Sequence, residues 1–146
     1  MVNIILDIIY CFTASYFYAM LMNAPKTTLI HSSLTASIGY ILYETSVKYG
    51  SPMLGFFLGT TVIASLGEIF ARKFKMPATI FIFPGVIPIV PGLGLYETIL
   101  AFVEDDIFLA LETGVTTILN IGCMAVAMAM VSLIAFKINL MVKTNV

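Results

Sequence analysis

Long apolar runs cut by short polar punctuation govern the chain. Val2 to Met22 is nearly unbroken hydrophobic sequence, closed by Asn23-Ala-Pro-Lys-Thr-Thr28. At roughly 20 apolar residues per bilayer crossing, this reads as a first span. Leu29 to Val47 follows with His31, Ser32, Ser33, Thr35, Ser37, Tyr40, Tyr43 and Glu44, a helix too polar to face lipid. Lys48-Tyr-Gly-Ser-Pro52 is a turn in which Ser51 can cap the next helix and Pro52 takes its first position, where a missing N–H costs nothing. Met53 to Ala71 is the third span, closed by Arg72-Lys-Phe-Lys75, and Pro77 opens an interrupted stretch reaching Val103. Glu104-Asp105-Asp106 marks a return to water. Ile107 to Phe136 would be about 45 Å long as a helix, more than a ~30 Å hydrocarbon core needs. A division near Gly114 is therefore expected, with Ile107 to Thr113 as an interfacial turn or extension and Thr116 to Phe136 as the last span.

The interruption is the strongest local signal. Pro84-Gly-Val-Ile-Pro-Ile-Val-Pro-Gly92 places three prolines and two glycines where a membrane helix should be continuous. Proline lacks the N–H, its ring clashes with the carbonyl four residues back, and it disfavours the α region for the residue before it. Phe83, Ile87 and Val90 are expected to be extended, freeing carbonyls near Ile80, Pro84 and Ile87. Bare backbone at membrane depth survives only where it is buried in protein or lines a cavity, so the break predicts a cavity.

Composition makes the class explicit. The 146 residues are 60% hydrophobic and 10% charged, with mean hydropathy +1.05, whereas soluble domains are about 25% charged. The expected architecture is an all-α polytopic membrane protein of about five transmembrane helices, one of them interrupted, forming one transmembrane domain over residues 1–146. Net charge is −1 and the basic residues form no stripe, which excludes a nucleic-acid partner. The first segment lacks the basic start and the small-residue cleavage site of a signal peptide. Cys11 and Cys123 stand alone without CxxC spacing, so neither metal nor cofactor is expected, and both read as small apolar side chains. No serine, histidine and acid set or glycine-rich phosphate loop points to an enzyme.

Lys and Arg are retained on the cytoplasmic side of a membrane. With five spans, Lys26, the Arg72 to Lys75 cluster, Lys137 and Lys143 share one side, and Lys48 lies opposite beside the acidic 104 to 106 loop. The N-terminus is then outside and the C-terminus cytoplasmic. A re-entrant proline segment would give four crossings instead.

Ionisable groups within spans are costly and face cavities or pair with each other. Asp7, His31, Glu44, Glu68 and Glu97 are the candidates. Asp7 and Glu44 can reach the headgroups from near the outer ends, and Glu68 stands four residues before Arg72, the favourable order for a helical ion pair. His31 either relays a proton or packs against a neighbouring helix. Glu97 lies five residues after Gly92, in the first turns of the helix that restarts there, where the dipole favours an anion. That helix start could instead receive a substrate carboxylate, with Tyr96 at the pocket wall, while a tight kink beside the third span is the plainer alternative. Gly55 and Gly59 form GxxxG, a spacing for close helix packing.

Pro77-Ala-Thr-Ile-Phe-Ile-Phe-Pro-Gly-Val-Ile-Pro-Ile-Val-Pro-Gly92, preceded by a basic loop and followed by Tyr96, resembles the threonine/serine exporter family, in particular the small membrane subunit of its split two-component form. The specific match covers Arg72 to Tyr96. The resemblance implies a subunit of a bacterial plasma-membrane secondary transporter exporting threonine and serine, or succinate-like organic acids, driven by the proton-motive force. It also implies a larger membrane subunit of the same family as partner, with a homo-oligomer as the other possibility, and substrate-binding roles for Pro84, Gly85, Pro88, Pro91, Gly92 and Tyr96. Proton coupling is then expected at Glu97, Glu68, His31 or Asp7. The rival readings are a scaffolding subunit for a partner that alone forms the path, and a small homodimeric multidrug exporter built on Asp7.

Overall fold

A computed structural model describes residues 2–144, with side chains for residues 4–138. Six α-helices and one 3-10 turn make up the described chain: α1 (Val2–Leu21), α2 (Lys26–Tyr49), α3 (Pro52–Phe74), α4 (Thr79–Val86), the 3-10 turn Ile87–Ile89, α5 (Gly92–Val103) and α6 (Ile107–Thr144). Local chemistry sets the ends. Ser51 accepts a hydrogen bond from the Leu54 N–H with Pro52 in the first turn, as the turn sequence predicts. Lys75 adopts the left-handed conformation (φ 53°) to stop α3, and the Asp106 carboxylate accepts the Leu109 N–H at 3.0 Å to start α6.

α2 is the central element, packed on α1, α3 and α4. Its hydroxyls lie inside the bundle and satisfy themselves locally: Ser32, Ser33, Thr35 and Ser37 each donate to the carbonyl four residues back. That lets the hydroxyl face of α2 pack inside without orphaned donors, while Ile30, Leu34 and Ile38 form an exposed apolar face, so the helix is not wholly hidden as its polarity suggests. Glycines allow the close approaches. A Cβ on Gly55 would meet Val47 and Tyr43, and one on Gly59 would meet Tyr43 and the Gly39 carbonyl. The apolar core gathers Phe56, Ile63, Ala64, Ile82, Val86, Ile89 and Met124 from α3, α4, the 3-10 turn and α6.

α1 and α2 run antiparallel, with Ser37 Oγ near the Ile8 carbonyl. α2 and α3 do likewise, with His31 against Phe70 and Phe74. α4 returns antiparallel to α3, Ile82 lying where a Gly67 Cβ would be. α6 runs parallel to α3: Ser132 Oγ donates to Glu68 Oε1 at 3.2 Å and Arg72 Nη2 to the Ala135 carbonyl at 2.6 Å. By that register α6 starts about nine residues, roughly 13 Å, before the level of Pro52. Lys26, Arg72, Lys73, Lys75 and Lys137 gather at one end of the bundle; Lys48 and Glu104 to Asp106 belong to the other. The Lys143 side chain is outside the described set.

α1, α3 and the 32-residue stretch Ile107–Ile138 are long and apolar enough to cross a membrane, and α4 with α5 makes a fourth candidate if the bent pair is one span. The architecture is thus an all-α polytopic membrane protein, and the second of the five expected spans, α2, falls short of that apolarity because of its hydroxyls. Two further expectations change. Residues 107–144 form one helix with no division at Gly114; that glycine is a contact point, where a Cβ would lie 3.1 Å from Thr98 Cγ2 on α5. Glu68 and Arg72 do not pair; among the described residues the recorded ion pair is Lys48 with Glu44, at 2.6 Å.

Candidate functional site

The proline run does break the helix, but later than three prolines suggest. Pro84 lies inside α4 and is buried with Phe81, Ile82, Gly85 and Val86. In an eight-residue helix it forfeits one backbone bond, and packing on α2 and α3 outweighs that loss. Phe83 is helical, and Ile87 keeps α dihedrals (φ −49°, ψ −46°). Pro88 falls in the first positions of the 3-10 turn, where its N–H would be unpartnered anyway. Val90 alone of the three expected residues is extended (φ −60°, ψ 129°). Its N–H closes back on the Val86 carbonyl at 3.1 Å and the Ile87 carbonyl at 3.4 Å, so the Ile87 carbonyl is occupied rather than free. After Pro91 the chain turns by 55° into α5.

A cavity of about 510 Å³ opens beside this bend, within the ~300–1,000 Å³ usual for small-molecule sites. Residues 88–94 form one wall, Tyr43, Pro52 and Phe56 another, and Glu112, Thr113, Thr116, Thr117 and Asn120 of α6 a third, with Glu97 also lining it. It lies at the level where α3 begins, at the end opposite the basic cluster. At the start of α5 the Gly92 N–H is consumed by the Val90 carbonyl at 2.7 Å. The Leu93 and Gly94 N–H groups have no recorded acceptor among the described residues, and no side chain caps this helix. Two backbone donors and the positive end of the α5 dipole are thus presented beside the cavity. α5 stays close to α6 because Gly94 has no Cβ; one there would strike Thr117 Oγ1.

Of the six residues expected to bind substrate, Pro88, Pro91 and Gly92 line the cavity. Pro84 and Gly85 are buried behind it, Gly85 where a Cβ would lie 2.7 Å from Ile63 Cγ2. Tyr96 is 62% exposed and points elsewhere. Among the proton-coupling candidates, Glu97 is in this cavity. Asp7 lines a second cavity of about 310 Å³ with Tyr10, Cys11, Ala14 and Tyr40, and Pro88 is common to both. Glu68 is held by Ser132 beside Arg72, near the basic end. His31 lies against Phe70 and Phe74, and its Nδ1 contacts the Thr27 carbonyl at 3.0 Å. Because a carbonyl only accepts, Nδ1 is the donor in that contact.

The α6 contribution is absent from the sequence expectations. Glu112, Thr113, Thr116, Thr117 and Asn120 recur at helical spacing, a polar stripe on an otherwise apolar helix. An assumed break at Gly114 divides that stripe and hides it. No group of three or more His, Cys, Asp or Glu side chains among the described residues is arranged to hold a metal ion.

The bundle bends at a proline turn that sets a helix start beside a small cavity, an arrangement it shares with the discontinuous helices of secondary transporters. Residues 7–134 match the family described as "Threonine/Serine exporter, ThrE", and the chain belongs to the threonine/serine exporter family. It is 28% identical over 118 residues to the threonine/serine exporter of Corynebacterium glutamicum. That alignment takes in 81% of this chain and 22% of the relative, so the chain corresponds to about a fifth of the relative's length. No solved structure gives a significant match.

Proposed function

We propose that this chain is one part of a plasma-membrane secondary exporter of threonine and serine, or of small organic acids of similar size, with the cavity at the α4–α5 bend as its substrate site. The observation that carries the reading is the pair of unpartnered N–H groups at Leu93 and Gly94 beside the cavity. A substrate carboxylate is the natural ligand for two such donors at a helix start. Glu97, one turn into α5, then takes either a proton or the substrate's ammonium, and this competition couples proton entry to substrate release. Asp7, across Pro88 in the neighbouring cavity, is a further carboxylate near the bend beside Glu97 and Glu112, whereas Glu68 and His31 serve the basic end.

A larger membrane subunit of the same family supplies the rest of the path in this reading. Five crossings with the N-terminus outside and the C-terminus cytoplasmic agree with the alternating directions of α1 to α4 and with the basic residues gathered at one end.

Threonine efflux driven by an imposed proton gradient, measured in vesicles from cells making the full exporter, tests this. Glu97→Gln is expected to abolish the gradient dependence, and Pro88→Ala with Pro91→Ala to abolish efflux while the chain still inserts. Undiminished export by the double proline variant would refute the site.

A further inference from the structure

The floor and rim of the same cavity carry information about the ligand that the helix start does not. Asn120 is 8% exposed and lines the cavity, and its Oδ1 is buried without a hydrogen-bond partner. An acceptor held that way is costly in the empty site and strongly discriminating once a donor reaches it. The charged side chains around the cavity are Glu97 and Glu112, both exposed, and neither lysine, arginine nor histidine lines it. Such a rim attracts an ammonium and repels a second carboxylate. A neutral hydroxyl can enter deeper than an ammonium, because burying an unpaired charge costs far more than burying a hydroxyl that finds an acceptor.

We propose that Asn120 is the substrate-contacting specificity residue of this site, its Oδ1 accepting a hydrogen bond from the hydroxyl of a small hydroxy-amino acid whose ammonium is held at the rim by Glu97 and Glu112. The inference rests on the exporter reading and adds to it the residue that reads the substrate hydroxyl. Thr113, Thr116 and Thr117 complete the polar wall but have other occupations, each hydroxyl donating to the carbonyl four residues back. Asn120 is the wall residue whose acceptor is left over.

The test compares L-threonine, L-2-aminobutyrate (threonine without its hydroxyl) and succinate in the vesicle efflux assay, for the wild-type exporter and for Asn120→Leu. Wild type is expected to export threonine in preference to 2-aminobutyrate and to leave succinate at background. Asn120→Leu is expected to lower subsaturating threonine efflux about fivefold, change 2-aminobutyrate less than twofold, and melt at the same or a higher temperature. An equal fall for both amino acids would mean a packing role and overturn the assignment, as would an unchanged threonine preference. Succinate efflux matching threonine would overturn the rim's part. Wild-type vesicles exporting none of the three would refute the exporter reading itself, a result distinct from the others.

Discussion

Gly94 offers a quantitative test of how the cavity wall is held. Adding a Cβ there drives it into Thr117 Oγ1, with Thr117 Cβ and Cγ2 at 3.5 Å. Overpacking of this kind costs about 1–3 kcal/mol, while replacing glycine by alanine within a helix returns up to about 1 kcal/mol. Gly94→Ala alone should therefore destabilise by roughly 0–2 kcal/mol. Thr117→Ala removes the obstructing oxygen and methyl together with a hydrogen bond to the Thr113 carbonyl, worth about 0.5–1.5 kcal/mol. In the double variant the collision is gone, so the two changes should be non-additive by about 1–2 kcal/mol, the double variant being more stable than the sum predicts. The chain has no tryptophan, but Cys11 is a buried free thiol. Its reaction with a fluorogenic maleimide during detergent titration reports unfolding, with Cys123→Ser silencing the second thiol. Additivity within about 0.5 kcal/mol would show that α5 does not rest on α6 at this point, and the cavity wall would have to be redrawn.

Three further outcomes are expected. Ser51→Ala removes the cap of α3 and should cost about 0.5–2 kcal/mol in the same titration, with Ser51→Gly nearer to neutral. Arg72→Met breaks the hydrogen bond from α3 to the Ala135 carbonyl and should cost about 1.5–3 kcal/mol, whereas Glu68→Gln, which can still accept from Ser132, should cost less. Spin-label distances between α4 and the far end of α5 should be unchanged by Pro84→Ala, because that proline is already helical, and should lengthen when Pro88 and Pro91 are both replaced by alanine.

Much of this architecture was legible because it follows from punctuation. Ser51-Pro52 starts α3, the second segment turns its hydroxyls into the bundle while Ile30, Leu34 and Ile38 remain on an exposed face, and the proline run bends the chain, each for a reason carried by a few adjacent residues. What escaped depends on neighbours distant in sequence. Pro84 is helical because α2 and α3 bury it, and Gly114 is a contact with Thr98 instead of a stop. Arg72 ignores Glu68 four residues back and reaches across to α6. Half the candidate site was visible, since Pro88, Pro91, Gly92 and Glu97 all line the cavity. The other half, on α6, was obscured by treating length as evidence of a break when its polar stripe was already in the sequence.

The unbroken α6 bears on the lipid as well as on the cavity. The 32 residues Ile107–Ile138 make about 48 Å of helix at 1.5 Å per residue. Transmembrane helices tilt by at most about 40°, which would still leave some 37 Å of helix against a core near 30 Å. Leaning alone does not bring all of α6 into the core, so its first turns, which carry Glu112, suit the headgroup region or a protein neighbour. Because Glu112, Thr113, Thr116, Thr117 and Asn120 are all on this early part of α6, the cavity belongs toward one face of the bilayer and is open to water from that side.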